Sequence, residues 1–143
     1  MAPRGPCPGL FLLLVLLAAG LAQLIPQDSY QKFLREHVDF PKTNATNAHR
    51  YCTTLVRRRG LPCNPTHTFI HAHPGQLNSI CGSGGACERR QYRCSSTAAY
   101  PLTTCLLARS SRPGRCLYRG RAQTRRIRVR CRQWRPVHFE GVL

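Results

Sequence analysis

Residues 125–132 read RRIRVRCR, and in this stretch Ile127, Val129 and Cys131 alternate with Arg126, Arg128, Arg130 and Arg132. A period of two is that of a strand with one face buried and one in water. One face of this segment is therefore core and the other is arginine. Side chains on one strand face recur about every 6.6–7 Å, so the four arginines form a row suited to tracking a polyanion; they also guard the strand against edge pairing. Upstream, residues 101–107 and 116–118 read as further strands separated by turn residues such as Arg112-Pro113-Gly114, and residues 67–72 have strand character. The glycine-rich residues 81–86 read as a loop. Nearer the N-terminus the period changes. In DSYQKFLREH, residues 28–37, Tyr30, Phe33, Leu34 and His37 share one helical face, with Asp28 as N-cap and Gln31 three residues later as in a capping box. Residues 49–59 read as a second helix ended by Gly60 and Pro62. Helices first and strands afterwards predict an α+β domain with an antiparallel sheet.

The chain has 143 residues and a formal charge of +17, which excludes an ordinary charge-balanced cytosolic domain. This length suits one domain. Residues 10–19, LFLLLVLLAA, follow Arg4 and precede the small residues of Gly20-Leu21-Ala22, the pattern of a signal peptide cleaved after Ala22. The run is shorter than the roughly 20 residues of a membrane span, and no second run follows. A secreted domain over residues 23–143, without a transmembrane segment, is expected. Removing residues 1–22 takes away Cys7 and leaves eight cysteines, the even number that full pairing requires. No Cys-x-x-Cys pair occurs, so neither a zinc site nor another cofactor is expected. Asn44-Ala45-Thr46 is a glycosylation acceptor, whereas Pro65 bars Asn64 from that role. Lys32 and Lys42 are the only lysines, and arginine's bidentate fork suits RNA, heparin-like glycosaminoglycans and anionic bacterial surfaces equally well.

Three further groups of residues carry a resemblance over essentially the whole mature chain. They are Lys32-Phe33 followed by His37, Cys63 followed by His67-Thr68-Phe69, and Pro136-Val137-His138-Phe139. Together with the eight cysteine positions they resemble the pancreatic ribonuclease superfamily. RRRGL at 57–61, before Pro62-Cys63, resembles its angiogenin branch in particular, although angiogenins generally lack a bridge like 87–94. Eight cysteines allow 105 pairings; the resemblance implies Cys52–Cys105, Cys63–Cys116, Cys81–Cys131 and Cys87–Cys94, in a ribonuclease A-like fold of short helices on a curved antiparallel sheet.

The resemblance also implies a metal-free reaction. His37 matches a general base that takes the ribose 2′-hydroxyl proton, and His138 a general acid that protonates the departing 5′-oxygen, leaving a 2′,3′-cyclic phosphate on the 3′ side of a pyrimidine. Thr68 matches the residue selecting the pyrimidine, Phe139 the one packing beside that base, and Lys32 a substrate-binding position. DNA lacks the attacking hydroxyl. His67, His71 and His73 read as structural or solvent-facing.

Three positions depart from the family pattern. The catalytic lysine is replaced by Asn64, Glu36 replaces a glutamine before the first histidine, and Glu140 replaces the aspartate orienting the second. Losing one donor that stabilises transition-state charge costs about 2.7–4 kcal/mol, roughly a hundred- to a thousandfold in rate. Weakened cleavage is therefore expected. Arg57, Arg58 and Arg59, with Arg126, Arg128, Arg130 and Arg132, are the expected polyanion contacts. The triplet resembles a segment directing nuclear uptake, and its alternative reading is a helix end favoured by the helix dipole. The competing function is a monomeric cationic host-defence or signalling protein that acts by binding rather than cleaving.

Overall fold

The computed structural model describes residues 29–143 except Gln91. The signal-peptide expectation and the Asp28 cap lie outside the described residues. Helix α1 (Ser29–His37) buries Tyr30 and Phe33, two of the residues in the i, i+3, i+4, i+7 pattern. Helix α2 (Ala48–Arg58) starts where the Asn47 side chain accepts from the Arg50 N–H at 2.8 Å, and turns off at Gly60, whose φ of 62° suits a residue without a Cβ. Strand β1 (Thr66–Ile70), helix α3 (Pro74–Asn78) and a 3-10 turn (Ser79–Cys81) follow. The remainder is strand: β2 (Gly85–Glu88), β3 (Arg93–Ser96), β4 (Tyr100–Leu107), β5 (Tyr118–Arg125), β6 (Ile127–Arg132) and β7 (Arg135–Val142).

The strands form two antiparallel sheets, ordered β1-β4-β5 and β2-β3-β6-β7. The α+β class is as expected, with several boundaries corrected. Strand β5 begins only at Tyr118, where residues 116–118 had the sequence signal, and continues through YRGRAQTR, whose Gly and exposed polar residues hid it. The expected strand at 125–132 breaks at Arg126, because Ile127 opens a new strand in the other sheet. The last two residues of the expected glycine-rich loop, Gly85 and Ala86, are strand and pair with Ser96 and Ser95.

Strand β1 explains why its apolar residues run on without alternation. Ile70 joins a core of Phe33, Leu77, Ile80, Leu102, Ile127 and Val129, whereas Phe69 joins a second of Tyr51, Leu55, Val56, Cys105 and Tyr118. Neighbouring residues point to opposite faces of a strand, and here both faces are covered. Helix α2 lies so close to β5 that a Cβ on Gly120 would stand 2.1 Å from the Ala48 carbonyl oxygen.

Four disulfides lock this arrangement in the pairing implied above. Cys52–Cys105 joins α2 to β4, Cys63–Cys116 ties the loop carrying Asn64 to the chain before β5, and Cys81–Cys131 joins the 3-10 turn to β6. The three span 50 to 53 residues, and bridges closing loops of this size contribute roughly 2–5 kcal/mol each. Cys87–Cys94 is a cross-strand pair within the β2–β3 hairpin.

Candidate active site

His37 ends α1 where the chain turns to make a bridge from Val38 to Ile70, so its ring meets β1 on one side and β7 on the other. Its Nδ1 lies 3.0 Å from the Thr68 carbonyl oxygen, and its ring stacks on Phe139 with centroids 4.9 Å apart. A carbonyl only accepts, so Nδ1 carries the hydrogen and the neutral ring keeps its lone pair on Nε2. Burial lowers the His37 pKa below 6.5; the Thr68 bond and Glu36 oppose the shift, while the charges of His67 and His138 add to it. The net effect keeps His37 neutral to lower pH than a free imidazole. The Glu36 carboxylate stands 4.0 Å from Nε2.

His138 is exposed on β7, directly across from Arg130 of β6. Its chain neighbour Phe139 stacks on His37, and the charge of His138 is among those acting on the His37 ring. Thr68 is buried, with its carbonyl committed to His37. Asn64 is exposed in the loop before β1, pinned by the Cys63 bridge, by its N–H donating to the Pro62 carbonyl (2.8 Å) and by the Tyr118 hydroxyl donating to its carbonyl (2.8 Å). Lys32 is exposed on α1, about 140° around the helix from His37. Asn44 is exposed between α1 and α2.

The other histidines hold backbone in place. His67 Nε2 is 2.8 Å from the Pro62 carbonyl; His71 bridges the Asp39 carbonyl (2.9 Å) and the Thr103 hydroxyl (2.8 Å); His73 Nδ1 caps α3 by accepting from the Gly75 N–H. His49 Nδ1 accepts from the Gly120 N–H.

Three expectations need correction. Arg59 is not a free polyanion contact: its Nη1 donates to the carbonyls of Leu34 (3.3 Å), Arg35 (2.8 Å) and Val38 (2.5 Å), and its Nη2 to Asp39 Oδ1 (3.2 Å). Leu34, which also accepts from the Val38 N–H, and Arg35 lie in the last turn of α1 and Val38 just beyond it, where a helix leaves carbonyls short of donors, so Arg59 caps the helix that carries His37. Arg57 and Arg58 remain exposed. The β6 row is likewise only partly free: Arg128 Nε donates to the Ser95 hydroxyl at 3.1 Å and Arg130 pairs with Glu140 at 2.5 Å, while Arg126 and Arg132 are exposed. Glu140 does not serve His138 as its pairing partner; its carboxylate takes Arg130 and, at 3.7 Å, Arg93.

The cluster around Asp39 escaped the sequence reading. Asp39 accepts from the Tyr51 hydroxyl (2.6 Å), the Thr43 hydroxyl and the Thr43 N–H as well as from Arg59. Burial opposes its ionisation, but these donors outweigh burial and hold the carboxyl below 3.8. A lone Asp in a loop gives no sign of such a role, since all its partners come from other elements or a later turn. Among the described residues, no group of three or more His, Cys, Asp or Glu is placed to hold a metal, and no helix is long and apolar enough to cross a membrane.

The relatives agree with this architecture. A ribonuclease of Chelonia mydas is 43% identical over 117 residues, covering 80% of this chain and 98% of that protein, and the angiogenin of Gallus gallus is 37% identical over 132 residues, covering 90% and 91%. The crystal structure of green turtle egg white ribonuclease superposes with a TM-score of 0.76 at 42% identity, covering 82% of this chain and all of that one. The family model of pancreatic ribonuclease matches residues 28–140. With that match, these relatives and the shared fold, the chain belongs to the pancreatic ribonuclease family.

Proposed function

We propose that the protein is a secreted endoribonuclease that cuts RNA on the 3′ side of pyrimidines with weakened efficiency. The observation carrying this reading is His37, a half-buried imidazole whose Nδ1–H is spent on Thr68 and whose Nε2 lone pair is kept available by a depressed pKa. A base of this kind takes the 2′-hydroxyl proton as the oxygen attacks phosphorus; the P–O5′ bond breaks and His138, in its charged form, gives its proton to the leaving oxygen. His138 is exposed to solvent and borders Arg130. Phe139, stacked on His37, offers an aromatic face beside the site for the pyrimidine.

Asn64 can donate a hydrogen bond but adds no charge at the phosphate. Glu36, 4.0 Å from Nε2, adds a repulsive carboxylate. Arg130 lies across from His138 but shares its charge with Glu140. The test is cleavage of a short pyrimidine-containing RNA by the oxidised protein beside its His138→Ala and Asn64→Lys variants. Loss with the first and a gain of roughly a hundredfold or more with the second supports the reading; cleavage that survives His138→Ala overturns it.

A second reading, binding to polyanions such as heparin-like chains or anionic bacterial surfaces with no chemistry, is favoured by one surface. A groove of about 980 Å³ between α2 and residues 108–119 is lined by Arg50, Arg57, Arg115, Arg119 and His49, and no carboxylate lines it. Function retained by His138→Ala and lost on replacing these arginines selects this reading. Glycosylation of Asn44, and nuclear uptake through the exposed Arg57 and Arg58, belong with either.

A further inference from the structure

Strand register puts a row of side chains across the second sheet, with Arg93 of β3 opposite Arg130 of β6 and Arg130 opposite His138 of β7. Residues directly opposite in an antiparallel pair project from the same face, on strands about 4.8 Å apart. The Arg130 side chain therefore leaves the sheet beside the His138 imidazole. Glu140 is held by both arginines, its Oε1 2.5 Å from Arg130 Nε and its Oε2 3.7 Å from Arg93 Nη2. Two guanidinium groups share one carboxylate, so the cluster keeps one positive charge in excess.

The two arginines differ in what they can reach. Arg93 Nε is buried without a hydrogen-bond partner, whereas the Arg130 side chain is 49% exposed. Among the described residues, Glu140 is the one side-chain partner of Arg130, and the contact is made through Nε. The terminal nitrogens of Arg130 are left for a ligand. Neighbouring cations are committed elsewhere: Arg128 Nε donates to the Ser95 hydroxyl, and Arg59 closes the end of α1. Asn64 adds no charge. As the 2′-oxygen attacks, negative charge grows on the non-bridging oxygens of the phosphate, and a cation fixed against them lowers the barrier. A guanidinium meets two such oxygens with parallel N–H groups.

We propose that Arg130 is a catalytic residue that supplies from β6 the positive charge lacking at Asn64, donating through its terminal nitrogens to the non-bridging oxygens of the scissile phosphate. Glu140 and Arg93 fix its Nε end. The inference rests on the cleavage reading above and adds a residue to that reaction. Arg130 exchanges no proton: the 2′-hydroxyl proton passes to His37, the P–O5′ bond breaks, and His138 protonates the leaving oxygen. Glu140 thereby has a task of its own, since its carboxylate serves the cation rather than the histidine.

Two substrates with the same scissile phosphate test this. Uridylyl-adenosine has a second nucleoside and a leaving oxygen that needs a proton; uridine 3′-(4-nitrophenyl phosphate) has neither, because nitrophenolate leaves unprotonated. Arg130→Ala should slow both by a similar factor, roughly a hundredfold, and Arg130→Lys should recover part of the loss on both. The Arg130→Ala/Glu140→Gln double variant should stay about tenfold or more below the parent, so that repulsion from an orphaned carboxylate is not the cause. The ion pair is partly exposed, and all variants should melt within a few degrees of the parent. Calorimetry with uridine 3′-phosphate and with uridine reads the contact without turnover. Arg130→Ala should weaken the phosphate roughly tenfold or more and leave uridine unchanged.

A loss confined to uridylyl-adenosine overturns the proposal, because Arg130 then acts through His138 or the second nucleoside. Full recovery in the double variant overturns it as well, as does an affinity for uridine 3′-phosphate that is absent or unchanged by Arg130→Ala. Cleavage of both substrates at parental rates by Arg130→Ala keeps the ribonuclease reading and removes Arg130 from it. A parent that cleaves neither substrate, yet loses uridine 3′-phosphate on Arg130→Ala, leaves the phosphate contact standing and removes the cleavage reading instead.

Discussion

Replacing Arg59 by alanine tests whether the third arginine of RRRGL acts by holding the fold. Its guanidinium donates to three carbonyls at the end of α1 and to Asp39, whose side chain is 6% exposed while that of Arg59 is 24% exposed. Removing the partner of a buried charge costs about 3–5 kcal/mol. Tyr51 and Thr43 still serve Asp39, and water reaches part of the helix end, so the lower figure applies, about 3 kcal/mol. A domain of this size loses about 4 °C of melting temperature per kcal/mol, giving a fall of roughly 12 °C. Thermal unfolding of Arg59→Ala beside Arg57→Ala, with all disulfides intact, measures it; the exposed Arg57 should cost under about 0.5 kcal/mol. Because α1 presents His37, RNA cleavage should fall in Arg59→Ala even below its melting point. Equal melting of the two variants would show that Arg59 is only another surface charge, and the capping argument would fail.

Glu36→Gln removes the carboxylate 4.0 Å from His37 Nε2 and should raise cleavage severalfold. Glu36 favours the charged imidazole, so its loss also moves the acidic limb of the pH–rate profile to lower pH; a limb moving upward would contradict this. Stability should also depend on acid. His37 and His71 are both depressed by burial, so the unfolded chain, with imidazoles near 6.5, binds protons that the native chain refuses. The melting temperature should fall as the pH drops through about 6.5 and level off above it, even in about 0.5 M salt, where repulsion between arginines is screened. Asp39 acts in the opposite range: its contribution is complete above 3.8 and is lost as the carboxyl protonates below that. A flat profile between pH 7.5 and pH 5 would refute the histidine assignment.

Local pattern sufficed for the amphipathic first helix, the second helix, the strand at the arginine row and the α+β class, because each depends on periodicities of a few residues. The resemblance implied the disulfide pairing and named His37, Asn64, Thr68, His138 and Phe139. What neither supplied was which cations are free. RRRGL offers three equivalent arginines in sequence, yet only Arg59 points back along α1, since the turn at Gly60 and the packing of α2 set its direction. Likewise Arg130 and Glu140 pair because strand register places Arg130 opposite His138, with Glu140 two residues farther along β7.

The sequence by itself determined a disulfide-rich, strongly basic α+β domain whose two histidines lie far apart in the chain, near either end of it. Only tertiary structure decided that His37 presents Nε2 and keeps it unprotonated, because that depends on the Thr68 carbonyl from β1 and on burial against Phe139 from β7. It also decided that Tyr92 and Trp134 stand together beside one cavity. The tips of two hairpins 42 residues apart in sequence meet because β3 pairs with β6 and the Cys131 N–H donates to the Tyr92 carbonyl. Periodicity describes one element at a time, whereas pKa, pairing and cavity shape arise between elements, and no single segment carries that information.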